Sequence, residues 1–106
     1  MKNRILNGII NSLHPKPNAF KGKSAEYHIV CNEINQAAMN SGYPFVYFDG
    51  NMCLFTGFHW EHIEEHELKV FMKYAFAKLC GDYCLASRKE TVNGLAAQMP
   101  YTAMML

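Results

Sequence analysis

Apolar and polar positions alternate along this chain with two different periods. Over residues 2–13 the apolar set is Ile5, Leu6, Ile9, Ile10 and Leu13, the spacing of one helical face, diluted by Gly8 and three asparagines. His14-Pro15-Lys16-Pro17 stops that helix, because proline has no amide donor and restricts the residue before it. Residues 14–24 therefore read as a linker. A second helix is expected over 25–40, capped by Ser24, with Tyr27, Val30, Cys31, Ile34, Ala37 and Ala38 on one side. Gly42 ends it and Pro44 follows.

The period then changes. Phe45-Val46-Tyr47-Phe48 and Met52-Cys53-Leu54-Phe55-Thr56 are aromatic and β-branched runs separated by Asp49-Gly50, a strong hairpin signal. Gly57 breaks the pattern again, and Phe58 to Ile63 predicts a third strand. Helical spacing returns over Glu64 to Cys80, with Leu68, Phe71, Met72, Ala75, Phe76 and Leu79 in one stripe. Glu64, Glu65 and Glu67 crowd its first turn, where the helix dipole favours negative charge, and Gly81 supplies a C-cap. A last helix is expected over about 87–98, entered near Ser87 and stopped by Pro100. The apolar tail Tyr101 to Leu106 either packs back or leads into a longer chain. The fold class that follows is α+β: N-terminal helices, a three-stranded antiparallel meander, and C-terminal helices packed on the sheet. The expected organisation is a basic segment and linker over 1–24 and one small domain over 25–106.

Composition narrows this. A chain of 106 residues, half of them hydrophobic, builds one small core. No run reaches membrane-spanning length and there is no secretory leader, so the four cysteines read as reduced thiols of a cytoplasmic protein without a membrane partner. Cys31 and Cys53 read as small buried hydrophobes. The net charge of +1 hides an asymmetry: residues 1–24 carry five bases and no acid, and residues 25–106 carry five bases and nine acids.

The densest candidate chemistry is His59-Trp60-Glu61-His62-Ile63-Glu64-Glu65-His66, which contains the H-x-x-E-H spacing of one zinc peptidase class. That chemistry needs His62 and His66 on one helix face, with a general base and a third ligand. The expected strand-to-helix junction falls between them, so a polar strand end running into an acidic helix start is the preferred reading. A metal site using His59, His62 and Cys80 or Cys84 is a lesser alternative, as is the Cys80-x-x-x-Cys84 pair alone. Gly22-Lys23-Ser24 imitates the end of a phosphate loop, but Pro17 stands where the loop needs glycine. No catalytic residue, metal ligand or cofactor is assigned, and the chain is read as no enzyme. If the aromatics Tyr47, Phe55, Phe58 and Trp60 are exposed, they can stack on single-stranded bases; cover by helices is the simpler expectation.

From Phe45 to Leu79 the chain resembles the domain preceding the helicase in phage-, plasmid- and poxvirus-type primase–helicases. Tyr47, Gly50, Phe55, Gly57, Trp60, Ile63, Glu67, Leu68 and Phe71 follow in that family's order, and Leu95-Ala96-Ala97-Gln98 resembles an L-x-x-Q helix of the same region. The helicase's nucleotide loop, its arginine finger and a primase's acidic cluster are absent from this sequence. The resemblance implies a non-catalytic accessory domain of mobile-element replication machinery that contacts DNA or positions a helicase or primase subunit. The candidate phosphate contacts are Lys2, Arg4, Lys16, Lys21 and Lys23, with Lys69, Lys73, Arg88 and Lys89 as a second patch. The alternative is a protein–protein or homodimerisation module that uses the tail from Met99 to Leu106 and an exposed sheet edge.

Overall fold

The structure, a computed structural model, describes residues 2–16, 20, 23 and 26–105, with the backbone alone at 84, 104 and 105. Its elements are α1 (Lys2–Ser12), α2 (Tyr27–Asn40), β1 (Phe45–Phe48), β2 (Asn51–Phe55), β3 (Trp60–His62), α3 (Glu65–Cys80), α4 (Tyr83–Ala86), α5 (Lys89–Thr102) and β4 (Met104–Met105). The fold is α+β, as the periods require.

The hairpin forms where Asp49-Gly50 asks for it. Both residues adopt positive φ, 51° and 78°, the requirement of a two-residue turn whose twist matches its strands. The pairing sets Phe45 against Leu54 and Tyr47 against Met52, and β3 then adds antiparallel to β2 with Leu54 against Glu61. Because strand side chains alternate, Phe45, Leu54 and Met52 face one way and Phe48, Cys53, Phe55, Trp60 and His62 face the other. The first set joins a core with Val30 and Ile34 of α2, Phe71 and Phe76 of α3 and Leu95 and Met99 of α5. The Phe45 and Phe71 rings meet at 5.3 Å between centroids. All three long helices therefore cover one face of the sheet.

Helix α3 starts where its acidic turn predicts. The Glu67 carboxylate reaches back to the N–H of Glu64 at 3.0 Å, satisfying one of the amides that a helix start leaves open. Gly81 closes the other end in the left-handed region, its N–H on the Ala77 carbonyl. Helices α2 and α5 approach closely at Gly94, where a Cβ would lie 2.2 Å from the Tyr27 ring; only glycine leaves room for that ring.

Several expectations give way. The segment before residue 24 is not set apart from the body: Ile5, Leu6, Ile9, Leu13 and Phe20 all belong to the one core, and the Lys16 N–H bonds the Leu79 carbonyl at the end of α3. Helix α2 is entered at Glu26; Ser24 lies outside the described residues. β3 is shorter than expected, because Gly57 at φ 97° and the turn after it swing Phe58 out before the strand begins. Pro100 does not stop the last helix, which runs on to Thr102. The missing donor costs one bond near the helix end, while the Ala103 N–H still reaches the Met99 carbonyl at 3.0 Å. Residues 83–86 form a separate turn, with the Asp82 carboxylate accepting from the Leu85 N–H at 2.9 Å. The tail packs back: β4 runs parallel to β1, Met104 beside Val46, and extends the meander to a four-stranded sheet in the order β3-β2-β1-β4. Met99 and Ala103 of the tail are buried in the molecule's own core, while Tyr101 between them is exposed. No helix among the described residues is long and apolar enough to cross a membrane.

Candidate functional site

The histidine-rich stretch divides between two elements. His62 ends β3 and His66 lies in the first turn of α3, so the pair never shares a helix face. His59, just before β3, and His62 at its end are each turned toward a nearby carboxylate: His59 Nε2 lies 3.1 Å from Glu61 Oε1, and His62 Nδ1 lies 3.4 Å from Glu64 Oε1. No group of three or more His, Cys, Asp or Glu residues that could hold a metal ion occurs among the described residues. Cys80 is the last residue of α3, nearly buried, and burial raises its thiol pKa. Cys31, Cys53 and Cys80 are free thiols. Cys31 is fully buried between α2 and α5, its thiol 3.4 Å from the Leu95 carbonyl and its pKa pushed up to about 12 by desolvation. Such a thiol is inert. Cys53 is only partly buried, because it lies on the sheet face away from the helices. Of Gly22-Lys23-Ser24, only Lys23 is among the described residues, and it is exposed.

The nine cationic candidates separate by what they touch. Lys2 is a structural residue. Its ammonium donates to Glu67 Oε1 at 2.9 Å and to the His62 carbonyl at 3.1 Å, joining α1, α3 and β3 at one point. That contact holds the Glu67 carboxyl below its ordinary pKa, with the Glu64 N–H as the next cause. Lys16 pairs with Glu33 and Lys69 with Glu65, one helical turn away. These ammonium groups, already paired, have less to offer a phosphate. Lys21 lies outside the described residues. Arg4 and Lys23 are exposed but belong to different parts of the chain.

Of the remaining three, Lys73 sits among aromatic rings, while Arg88 and Lys89 are exposed at the start of α5. Lys73 on α3 sets its ammonium 5.6 Å from the centroid of the Tyr74 ring and 5.2 Å from that of Tyr83 on α4. The two rings lie 6.0 Å apart and are both half exposed. The proximity of Tyr83 to Lys73 raises the lysine pKa above its ordinary range and lowers that of the tyrosine, with further lowering from Tyr74 and Ser87. Ser87 in turn donates to the Tyr83 carbonyl at 2.7 Å, and the next residues, Arg88 and Lys89, are exposed where α5 begins. At this α3–α4–α5 corner, Lys73 and the two rings form one exposed cluster, and Arg88 and Lys89 follow it along the chain. Beside Tyr74 opens a groove of about 440 Å3 between α1 and α3, floored by Leu6, Ile10 and Phe71. Tyr74 and Tyr83 were not singled out by the sequence. They are nine positions apart on different helices, and the adjacent Lys73-Tyr74 pair was the only local signal.

The aromatics of the meander behave unlike the simpler expectation. Tyr47 is partly buried against the core, but Phe58 is 85% exposed and Trp60 46% exposed. Phe55 and Trp60 pair across the strands at 4.7 Å between centroids, and Phe48 is also exposed. The polar groups of the same strand and its flanks are His59 with Glu61 and His62 with Glu64.

Comparison with protein-family models, with curated proteins and with solved structures gave no match. The likeness to the pre-helicase domain therefore rests on the quoted residues alone. In this fold those residues have structural work: Gly50 and Gly57 take positive φ, Glu67 caps α3, and Ile63, Leu68 and Phe71 fill the core.

Proposed function

We propose that this chain is a non-catalytic accessory domain, similar in role to the domain preceding the helicase in phage-, plasmid- and poxvirus-type primase–helicases, working in the cytoplasm and holding DNA by its backbone. The observation that carries this reading is the α3–α4–α5 corner, where Lys73 lies over the exposed Tyr74 and Tyr83 rings and the exposed Arg88 and Lys89 follow at the start of α5. Cations supply phosphate contacts without reading sequence. Tyrosine faces accept any base, which suits single strands. The N-terminal bases play a smaller part in this reading, since Lys2 and Lys16 are paired to carboxylates of the fold itself.

Fluorescence anisotropy of labelled single- and double-stranded DNA, titrated at several salt concentrations, tests it. Each phosphate contact on a single strand contributes about 0.7 to the slope of log affinity on log salt. Replacing Lys73, Arg88 and Lys89 with alanine should flatten that slope by about 2, and Tyr83→Ala should weaken single-strand binding by about 1–3 kcal/mol. Lys16→Ala should change little. Absence of binding at low salt, or an unchanged slope in the triple variant, would remove DNA contact from this corner.

A further inference from the structure

β3 is an edge of the sheet, with β2 on one side and no described strand on the other. Edge strands invite pairing with another chain. The existing hydrogen bonds fix which of its backbone groups point outward. The Thr56 N–H bonds the His59 carbonyl at 2.9 Å and the Ile63 N–H bonds the Met52 carbonyl at 2.9 Å. In an antiparallel ladder such pairs alternate, so His59, Glu61 and Ile63 turn their amides and carbonyls toward β2. Trp60 and His62 turn theirs toward the open edge. Lys2 already occupies the His62 carbonyl, which leaves Trp60 as the open point.

We infer that two copies of this chain join edge to edge through β3, antiparallel, about a two-fold axis at Trp60. Three observations select this register. Trp60 has its backbone donor and acceptor facing outward, and a residue on the axis exchanges both bonds with its own copy. The alternative centred on Glu61 would set two carboxylates directly opposite each other, a destabilising pair, and would need the His62 edge that Lys2 covers. Centred on Trp60, each His59 instead stands opposite the Glu61 of the second copy, twice, by symmetry. On the other face of the same strand, the Phe55–Trp60 pair would continue across the axis onto its counterpart, and Phe58, the most exposed large apolar side chain described, would gain cover. Aromatic cross-strand neighbours of this kind stabilise a sheet beyond simple burial. The surface is separate from the α3–α4–α5 corner, so the inference does not depend on DNA binding.

The experiment is sedimentation equilibrium of the whole chain over a range of concentrations, with circular dichroism to establish that each variant folds. The wild-type mass should rise from one chain to two. His59→Glu sets carboxylates opposite one another at both positions of this register and should remain at the mass of one chain, and Glu61→Lys supplies the complementary cation. In an equimolar mixture of the two variants, the lysine of Glu61→Lys stands opposite the glutamate of His59→Glu at one position and the wild-type His59–Glu61 pair remains at the other, so both chains should return to the mass of two. A wild-type protein that stays at the mass of one chain would overturn the proposal. A two-chain mass that persists in His59→Glu alone, or a mixture in which that variant does not recover it, would also overturn this register.

Discussion

The two faces of the β1–β2–β3 meander are built from similar residues and do opposite things. Phe45, Met52 and Leu54 face the helices and are buried. Phe48, Phe55 and Trp60 face away and keep substantial exposure. Only Val46 on the outer side is buried, and it is absent from the core cluster. Strands that are apolar on both sides usually have both sides covered. Here one cover is missing among the described residues, so the outer face contributes less to folding and stays open to the contact inferred above. The difference separates two jobs that composition alone would merge.

Substitutions on the two faces should separate those jobs. The largest effect is expected at Leu54→Ala, which opens a cavity beneath three helices and should cost about 2–5 kcal/mol in urea unfolding. Next is Lys2→Met, which removes two hydrogen bonds at the point where β3, α1 and α3 meet. Because the side chains of Lys2 and Glu67 are both partly exposed, the loss should be about 1 kcal/mol. Its pH dependence has a definite sign. Glu67 has a lowered pKa in the folded protein, so its contribution is present above the ordinary glutamate range and fades as pH falls through the lowered value. In Lys2→Met, stability should vary less with pH across that acidic window. The smallest effect is expected at Trp60→Ser. Despite its size, Trp60 should contribute only about 0.5–1 kcal/mol, from its ring contact with Phe55, when unfolding is followed at high dilution. A loss at Trp60 as large as that at Leu54 would mean that the outer face is part of the core after all.

Local signals in the sequence were enough to find most elements. Asp49-Gly50 marked the hairpin, Glu67 the start of α3 and Gly81 its end, because each acts on residues within one turn of itself. What stayed hidden depends on distant partners. Nothing near Lys2 announces that its ammonium serves Glu67 and His62, sixty and more positions away. Pro100 looks like a terminator by local rules, yet the helix continues through buried Met99 to Thr102, which bonds the Asn35 amide of α2 at 2.8 Å. Alternation could identify the two faces of each strand, but not which one the helices would take, since Phe45 and Phe48 are the same residue type. The basic residues were legible as charges only. Which are spent on the fold's own carboxylates depends on packing.

The parallel strand β4 also has a consequence in time. It joins β1 across more than fifty residues of intervening chain, and Lys2 waits for Glu67 across a similar interval. On a ribosome, α1 would emerge long before its partners, with Ile5, Leu6 and Ile9 uncovered, and β1 would have to keep one edge open until α5 had formed. Contacts of such wide separation slow folding and lengthen the period of exposure. During synthesis, the apolar side of the first helix therefore keeps part of its exposure until α3 has followed.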